Sequence, residues 1–177
     1  MKKYDLVIKN GLLFDSELKI IKNSDLAIKD NLIISISSSI DTDDATEFID
    51  ISNRYILPGL IDLHVHVWWG VAHLSVEVDK TSLGRGVPVV VDAGSSGSNT
   101  VDGFKRYVID QSESKILAFL NISGMGQLDN DIGELEDIRW ARVSEAVTAA
   151  KSHKDFIVGI KVRLSNRIAG ANDLIAL

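Results

Sequence analysis

From Pro58 onward, apolar runs alternate with segments of helical texture, and the polar residues of each run gather at its carboxyl end. The runs at 60–66, 87–93, 116–122 and 156–164 have the length and β-branched content of strands, with helical patterns at 78–85, 101–111 and 142–152. Repeated strand-helix units with nearly continuous apolar strands predict an α/β class, a parallel sheet covered by helices. Strict alternation along the first run puts Ile61, Leu63, Val65 and Val67 on one face and Asp62, His64 and His66 on the other. The last run sorts Phe156, Val158, Ile160 and Val162 opposite Ile157, Gly159, Lys161 and Arg163. Between them, Asp92 opposes Val89, Val91 and Ala93, and Asn121 and Ser123 oppose Ile116, Ala118, Leu120 and Ile122. An apolar face toward outer helices, with reactive groups inside at the carboxyl mouth, is what a (β/α)8 barrel requires. The stretches 94–98 and 124–133 follow the second and third strands and are candidate site loops.

The preceding residues have a different texture. Strand-like segments at 4–8, 12–14, 26–28, 32–36 and 47–51 are punctuated by the turn pairs Asn10-Gly11 and Asp30-Asn31, with a polar loop over 35–44. The expected organisation is a β segment, 1–57, whose sheet must be covered by another layer, followed by four βα units over 58–177. A complete barrel needs eight such units in ~250 residues. A chain of 177 residues is therefore expected to hold about half of one, with residues 169–177 read as a helix cut off mid-turn. Such a half-barrel would expose two sheet edges, an association hazard.

Composition removes several classes of chemistry. The chain has no cysteine, which excludes disulfides, thiolate zinc sites and cysteine nucleophiles, so any metal must be held by nitrogen and oxygen. Nineteen Lys and Arg against 25 Asp and Glu give a net charge of −6, which disfavours a nucleic-acid or anionic-membrane surface. The longest uncharged run, 63–76, spans 14 residues and contains three His, too short and too polar to cross a bilayer. Lys2, Lys3, Asp5 and Lys9 interrupt any signal-peptide core, and the expected location is cytoplasmic.

His64 and His66 carry the strongest chemical signal. At i and i+2 on a strand their Cα atoms lie ~6.7 Å apart on one face, within reach of one ion at ~2.0–2.1 Å from each ring nitrogen. Two satisfied histidines at a strand end would look the same. Asp62 is expected to be a buried hydrogen-bonding group that orients the strand or a ligand, with direct ligation of the ion as the alternative. Trp68 and Trp69 either wall a substrate pocket or form core under a loop. Asp92, Asn121, Ser123 and Arg163 line the expected mouth, where Arg163 either grips a substrate carboxylate or makes a salt bridge. The Gly-Ser stretch 94–99 could present N–H groups to an anion, though such loops are commonly only loops. His73 and His153 fall out of register with the pair, and Asn121-Ile122-Ser123 is a glycosylation sequon by pattern only.

The run Pro58-Gly59-Leu60-Ile61-Asp62-Leu63-His64-Val65-His66 resembles the first-strand signature of the amidohydrolase superfamily, and Tyr4-Asp5-Leu6-Val7-Ile8-Lys9-Asn10-Gly11 resembles its usual N-terminal strand. His64 to Gly70, Asp92-Ala93-Gly94-Ser95, Phe119 to Gly124 and Gly159-Ile160-Lys161-Val162-Arg163 extend the likeness to its dihydroorotase-like, deacetylase branch across the chain. The resemblance implies the first half of a metal-bearing TIM barrel preceded by part of a small β-sandwich. It implies a binuclear centre, usually two Zn2+. His64 and His66 would hold the more buried ion, and a carboxylated Lys161 would bridge both. Its reaction would be hydrolysis of a small-molecule amide, cyclic amide or ester by a metal-bridged hydroxide. Trp68, Trp69, Asn121 and Arg163 are the candidate substrate contacts. Two further His ligands and the general acid/base Asp belong to later strands, beyond residue 177, so no catalytic acid/base is assigned and the chain is expected to be inactive alone. The alternative is a non-catalytic fragment or binding module that retains part of a metal site. No nucleic acid or membrane partner is expected, and members of the family commonly form homo-oligomers.

Overall fold

The computed structural model describes residues 2–15, 17, 19–173 and 175. The chain divides into two compact units, Met1–Pro58 and Gly59–Leu177. No helix among the described residues is long and apolar enough to cross a membrane.

In the first unit, β1 (Tyr4–Asp15), β2 (Ile20–Lys29), β3 (Leu32–Ser37) and β4 (Ala45–Asp50) form a mixed sheet in the order β3-β2-β1-β4, and the short β5 (Tyr55–Ile56) pairs with β1. Asp30 and Asn31 turn β2 into β3 with positive φ of 50° and 61°, the left-handed pair that a two-residue hairpin needs. Asn10-Gly11, expected to be a turn between two strands, is instead a bulge inside one. The β1–β2 register shifts between Ile8 and Gly11, and Asn10 takes φ 59°. The ladder bond lost there is replaced by a side chain: Asn10 N–H donates to Asp25 Oδ1 at 2.8 Å. Asp25 also accepts from Ile40 N–H at 2.8 Å and from Lys9 Nζ at 2.5 Å. Tyr4, Val7, Ala27, Ile40 and Ala45 make the unit's small core. Leu32, Ile33, Ile36, Phe48 and Ile49 stay exposed, which leaves much of the sheet's apolar surface uncovered within the unit.

The second unit is built on four parallel strands in the order β6-β7-β8-β9: β6 (Ile61–Val65), β7 (Val89–Asp92), β8 (Lys115–Asn121) and β9 (Ile157–Lys161). The helices are α1 (Val78–Thr81), α2 (Val101–Tyr107), α3 (Val143–Ser152) and α4 (Asn166–Ala169), with one-turn 3-10 segments after α1 and α2. Mixed α/β structure with a parallel sheet is thus as the sequence predicts. The helix expected over 169–177 is instead the short α4 ending at Ala169, and Leu174, Ala176 and Leu177 lie outside the described residues. One core joins Val67, Trp68, Val90, Val101, Phe104, Ile116, Ala118, Leu120, Ala146, Phe156 and Ile157.

Strict alternation fails on both edge strands. Asp62 lies beside Val90 but Val65 beside Asp92, so β6 carries an extra residue between them. Ala118 lies beside Ile157 but Phe119 beside Gly159, so β9 carries another. Partners in a parallel pair share a face, hence Val65 and Ile157 join the core face with Val90, Ile116 and Ala118. Ile61 pairs with Val89 on the other face and is exposed, as is Leu63. The expected single apolar face of Ile61, Leu63, Val65 and Val67 is therefore corrected by the bulge, and Phe156 and Ile157 both enter the core despite their opposite parity.

Burial raises the pKa of Asp25, but the bonds from Lys9, Asn10 and Ile40 outweigh it and hold the carboxyl below its ordinary range. Its contribution is therefore present above the unfolded value, about 3.9, and is lost as pH falls through the lower folded value. Asp25→Ala should lower local stability by about 3 kcal/mol. The loss should appear as reduced hydrogen-exchange protection of the Asn10 and Ile40 amides. The gap between variant and parent should close below about pH 4; unchanged protection at neutral pH would contradict this role.

Candidate functional site

The carboxyl end of β6 gives way to an irregular segment that one carboxylate fixes in place. Asp92, the last residue of β7, is fully buried, and its Oδ2 accepts from Val67 N–H at 2.8 Å and Ser95 Oγ at 2.7 Å. Its Oδ1 accepts from the N–H groups of Gly94 at 3.0 Å and Ser95 at 2.7 Å. Asp92 therefore organises two loops rather than lining an open mouth.

His66 Nδ1 lies 3.0 Å from Ser95 Oγ. A hydroxyl has one proton, and that of Ser95 goes to Asp92, so Ser95 accepts from His66 Nδ1–H. The proton is thereby fixed on Nδ1 and the Nε2 lone pair is left free, the arrangement that a carboxylate behind a ligating histidine commonly enforces. Burial lowers the His66 pKa; Asp92 opposes this, while His64, Arg163 and Lys161 push the same way, and the net shift is downward. The imidazole is thus kept neutral and able to donate its lone pair. The His64 and His66 rings lie 5.7 Å apart between centroids and nearly perpendicular, at 79°. Asp62, expected to be buried, is exposed and accepts from His64 N–H at 3.0 Å, which orients the backbone of the first histidine.

Lys161 ends β9 beside Asn121, which ends β8. Gly94, at φ 95°, is a position only glycine suits, because a Cβ there would stand 2.7 Å from Lys161 Cβ and Cγ. The Lys161 Nζ has no hydrogen-bond or carboxylate partner among the described residues. The neighbouring carboxylate, Glu134, is taken: it accepts from Asn121 Nδ2 at 3.0 Å and from Arg163 Nε at 2.9 Å, with a second bond from Arg163 Nη2. Asn121 Nδ2 also donates to Gly94 O at 3.0 Å. Of the two roles open to Arg163, the structure shows the salt bridge.

Of the tryptophans, Trp68 is core, buried on Phe104 with ring centroids 5.6 Å apart. Trp69 is exposed and borders a shallow cavity with Val78, Tyr107 and Gln111. The Gly-Ser loop is packed rather than open, since a Cβ on Gly97 would meet Ser123 O at 1.8 Å. His153 pairs with Asp102 at 2.9 Å, and His73 Nδ1 lies 3.3 Å from Gln127 O.

Glu134 and the role of Ser95 are absent from the sequence reading. Glu134 sits in the loop after β8 with no periodic pattern, and its place is set by its neighbours. Leu135 is buried and donates its N–H to Ile168 O at 3.0 Å, while Gly133 packs so closely that a Cβ would meet Ile168 O at 2.4 Å. A Gly and a Leu flanking a loop carboxylate were the available signal.

Two imidazoles and an uncommitted lysine suit a nitrogen- and oxygen-ligated divalent ion once the lysine bears an anionic oxygen donor. Among the described residues no group of three or more His, Asp or Glu side chains alone could hold a metal.

No protein-family model matches the chain. It is 37% identical over 144 residues to a deacetylase of Brucella anthropi, covering 81% of this chain and 36% of that protein. It is similar to the crystal structure of an adenine deaminase at a TM-score of 0.82 and 30% identity, over 98% of this chain and 46% of the other. The crystal structure of a dihydroorotase gives 0.83 and 30%, over 94% and 44%. The chain spans less than half the length of these relatives.

Ser95→Ala removes the acceptor of the His66 Nδ1 proton. It should cost about 1–2 kcal/mol in denaturant unfolding and turn the single His66 tautomer into a mixture in nitrogen-15 NMR of the metal-free protein. A variant that keeps one Nδ1–H tautomer would refute this role of Ser95.

Proposed function

Because the chain belongs to the amidohydrolase superfamily and matches the N-terminal part of its members, we propose that it is the N-terminal part of a metal-dependent hydrolase acting on the amide, cyclic amide or ester bond of a small molecule. The reading is carried by one observation: at the carboxyl end of the first parallel strand the His64 and His66 rings stand 5.7 Å apart, with His66 Nδ1 held by Ser95. On this reading the four parallel strands are the first half of a TIM barrel, and the sheet of the first unit is one part of a β-sandwich. The names of the relatives, a deacetylase, a dihydroorotase and an adenine deaminase, do not agree on a substrate, so the reading stops at the class of bond.

His64, His66 and a carboxylated Lys161 would hold two divalent ions, usually zinc. When bound, such ions supply Lewis acidity and a nucleophile at neutral pH. The chain's own residues prepare for this. Asp92, through Ser95, presents His66 as a neutral donor with Nε2 free. Asp62 holds the backbone of His64. Gly94 and Asn121 confine the stem of Lys161, and the Glu134–Arg163 pair closes the end of β9.

His64→Ala and His66→Ala should each weaken zinc binding by at least about tenfold, read by calorimetric titration of the chain, with His153→Ala unaffected. A complete enzyme carrying either substitution should lose hydrolase activity. Full zinc affinity in both histidine variants would remove the metal-site reading.

A further inference from the structure

The segment between β8 and α3 lines a cavity of about 160 Å3, whose apolar wall is Met125, Leu128, Ile132 and Trp140. Two contacts set it beside the candidate site. Gly126, in the cavity wall, packs so closely on the loop after β7 that a Cβ would stand 2.3 Å from Ser95 O, and Ser95 is the residue that holds His66 Nδ1. Glu134, also in the wall, accepts from Asn121 Nδ2 at 3.0 Å, and Asn121 lies beside Lys161. The cavity therefore adjoins the supports on both sides of the candidate site. Ser123 adds a second, independent observation. It is fully buried in the same wall, and its hydroxyl has no hydrogen-bond partner among the described residues. A buried hydroxyl left unpaired is destabilising, so an apolar cavity that contains one suits a ligand with a matching polar atom better than hydrocarbon alone.

We propose that this cavity is the subsite for a compact, neutral, largely apolar group of the small molecule hydrolysed at the neighbouring centre, with the Ser123 hydroxyl as its one polar contact. The inference rests on the hydrolase reading above. Volume sets the size of the occupant: an apolar cavity of ~150 Å3 accepts a benzene ring, so a six-membered ring or a branched alkyl group of that bulk fits and a bicyclic group does not. Charge narrows the choice further. Glu134 is taken up by Asn121 and Arg163, and Asp129 brings a second acid to the wall, so the lining offers a ligand carboxylate repulsion and no free cation. A ring or alkyl group bearing one hydroxyl or carbonyl gains a bond from Ser123 that a plain hydrocarbon lacks.

The test titrates 4-fluorophenol, fluorobenzene and 4-fluorobenzoate into the metal-free chain and follows them by fluorine-19 NMR. 4-Fluorophenol should bind with a Kd of about 1 mM, fluorobenzene should also bind, and 4-fluorobenzoate should not. Ser123→Ala should weaken 4-fluorophenol about fivefold and leave fluorobenzene unchanged. Leu128→Trp, which fills the cavity from a half-buried position, should abolish binding of both; the Ser123→Ala comparison stands even if the larger side chain disturbs the loop. Absence of 4-fluorophenol binding, equal losses of the two neutral probes in Ser123→Ala, or binding retained in a folded Leu128→Trp overturns the proposal. In a complete enzyme, Leu128→Trp should lower kcat/KM by roughly tenfold or more for an amide or ester carrying a ring of this size, but not for its methyl analogue. Equal loss for the two substrates would remove the cavity from substrate recognition. Failure of the chain to bind zinc, with the probe pattern intact, would count against the proposed metal centre and not against the selectivity of the cavity.

Discussion

The geometry of the site depends on a buried carboxylate that is not itself a candidate ligand. Asp92 receives four donors, three backbone N–H groups and one hydroxyl, and through them ties the chain after β6 to the loop after β7. With four donors the buried carboxyl group leaves neither oxygen without a partner. The same carboxylate dictates where the proton of His66 resides. Local folding and the orientation of His66 are one interaction here, because the hydroxyl between Asp92 and His66 has only one proton to give.

A second carboxylate closes the other side of the site in the same manner. Glu134 gathers Asn121 and Arg163, and through Asn121 reaches Gly94, the residue packed on the stem of Lys161. Each acidic group in this region is satisfied by its own donors, which leaves His64, the Nε2 edge of His66 and the amine of Lys161 without carboxylate partners among the described residues. On the proposed reading, groups that bind a cation stay available only while no neighbouring carboxylate has claimed them, and Asp92 and Glu134 are taken up by their own donors.

Much of the framework was legible in the sequence for a simple reason: β-branched runs and helical patterns are local, and local preferences survive in the parallel unit. The histidine pair and Lys161 were legible because they end strands. What the sequence concealed was set by contacts distant along the chain. Asn10-Gly11 has the composition of a turn, and becomes a bulge because Asp25, 15 residues on from Asn10, supplies the lost bond. Trp68 could have faced a ligand or the interior, and Phe104 decides for the interior. Glu134 has no pattern of its own, and only the spatial meeting of residues 121, 134 and 163 gives it a role.

The register slips show how His64, His66, Asn121 and Lys161 come to share a face although strict alternation fails. On an unbroken β6, Asp62, His64 and His66 would share the face of Val90, the core face, and the histidines would be buried among apolar side chains. On an unbroken β9, Lys161 would follow Ile157 to that same face. One extra residue in each edge strand reverses both. Downstream of the bulges, Val65 turns into the core, so His64 and His66 project from the opposite face, where Asn121 and Lys161 also stand. The central strands β7 and β8 pair with each other without a slip. The two register slips thus put His64, His66 and Lys161 on the face opposite the core while Val65 and Ile157 stay in it.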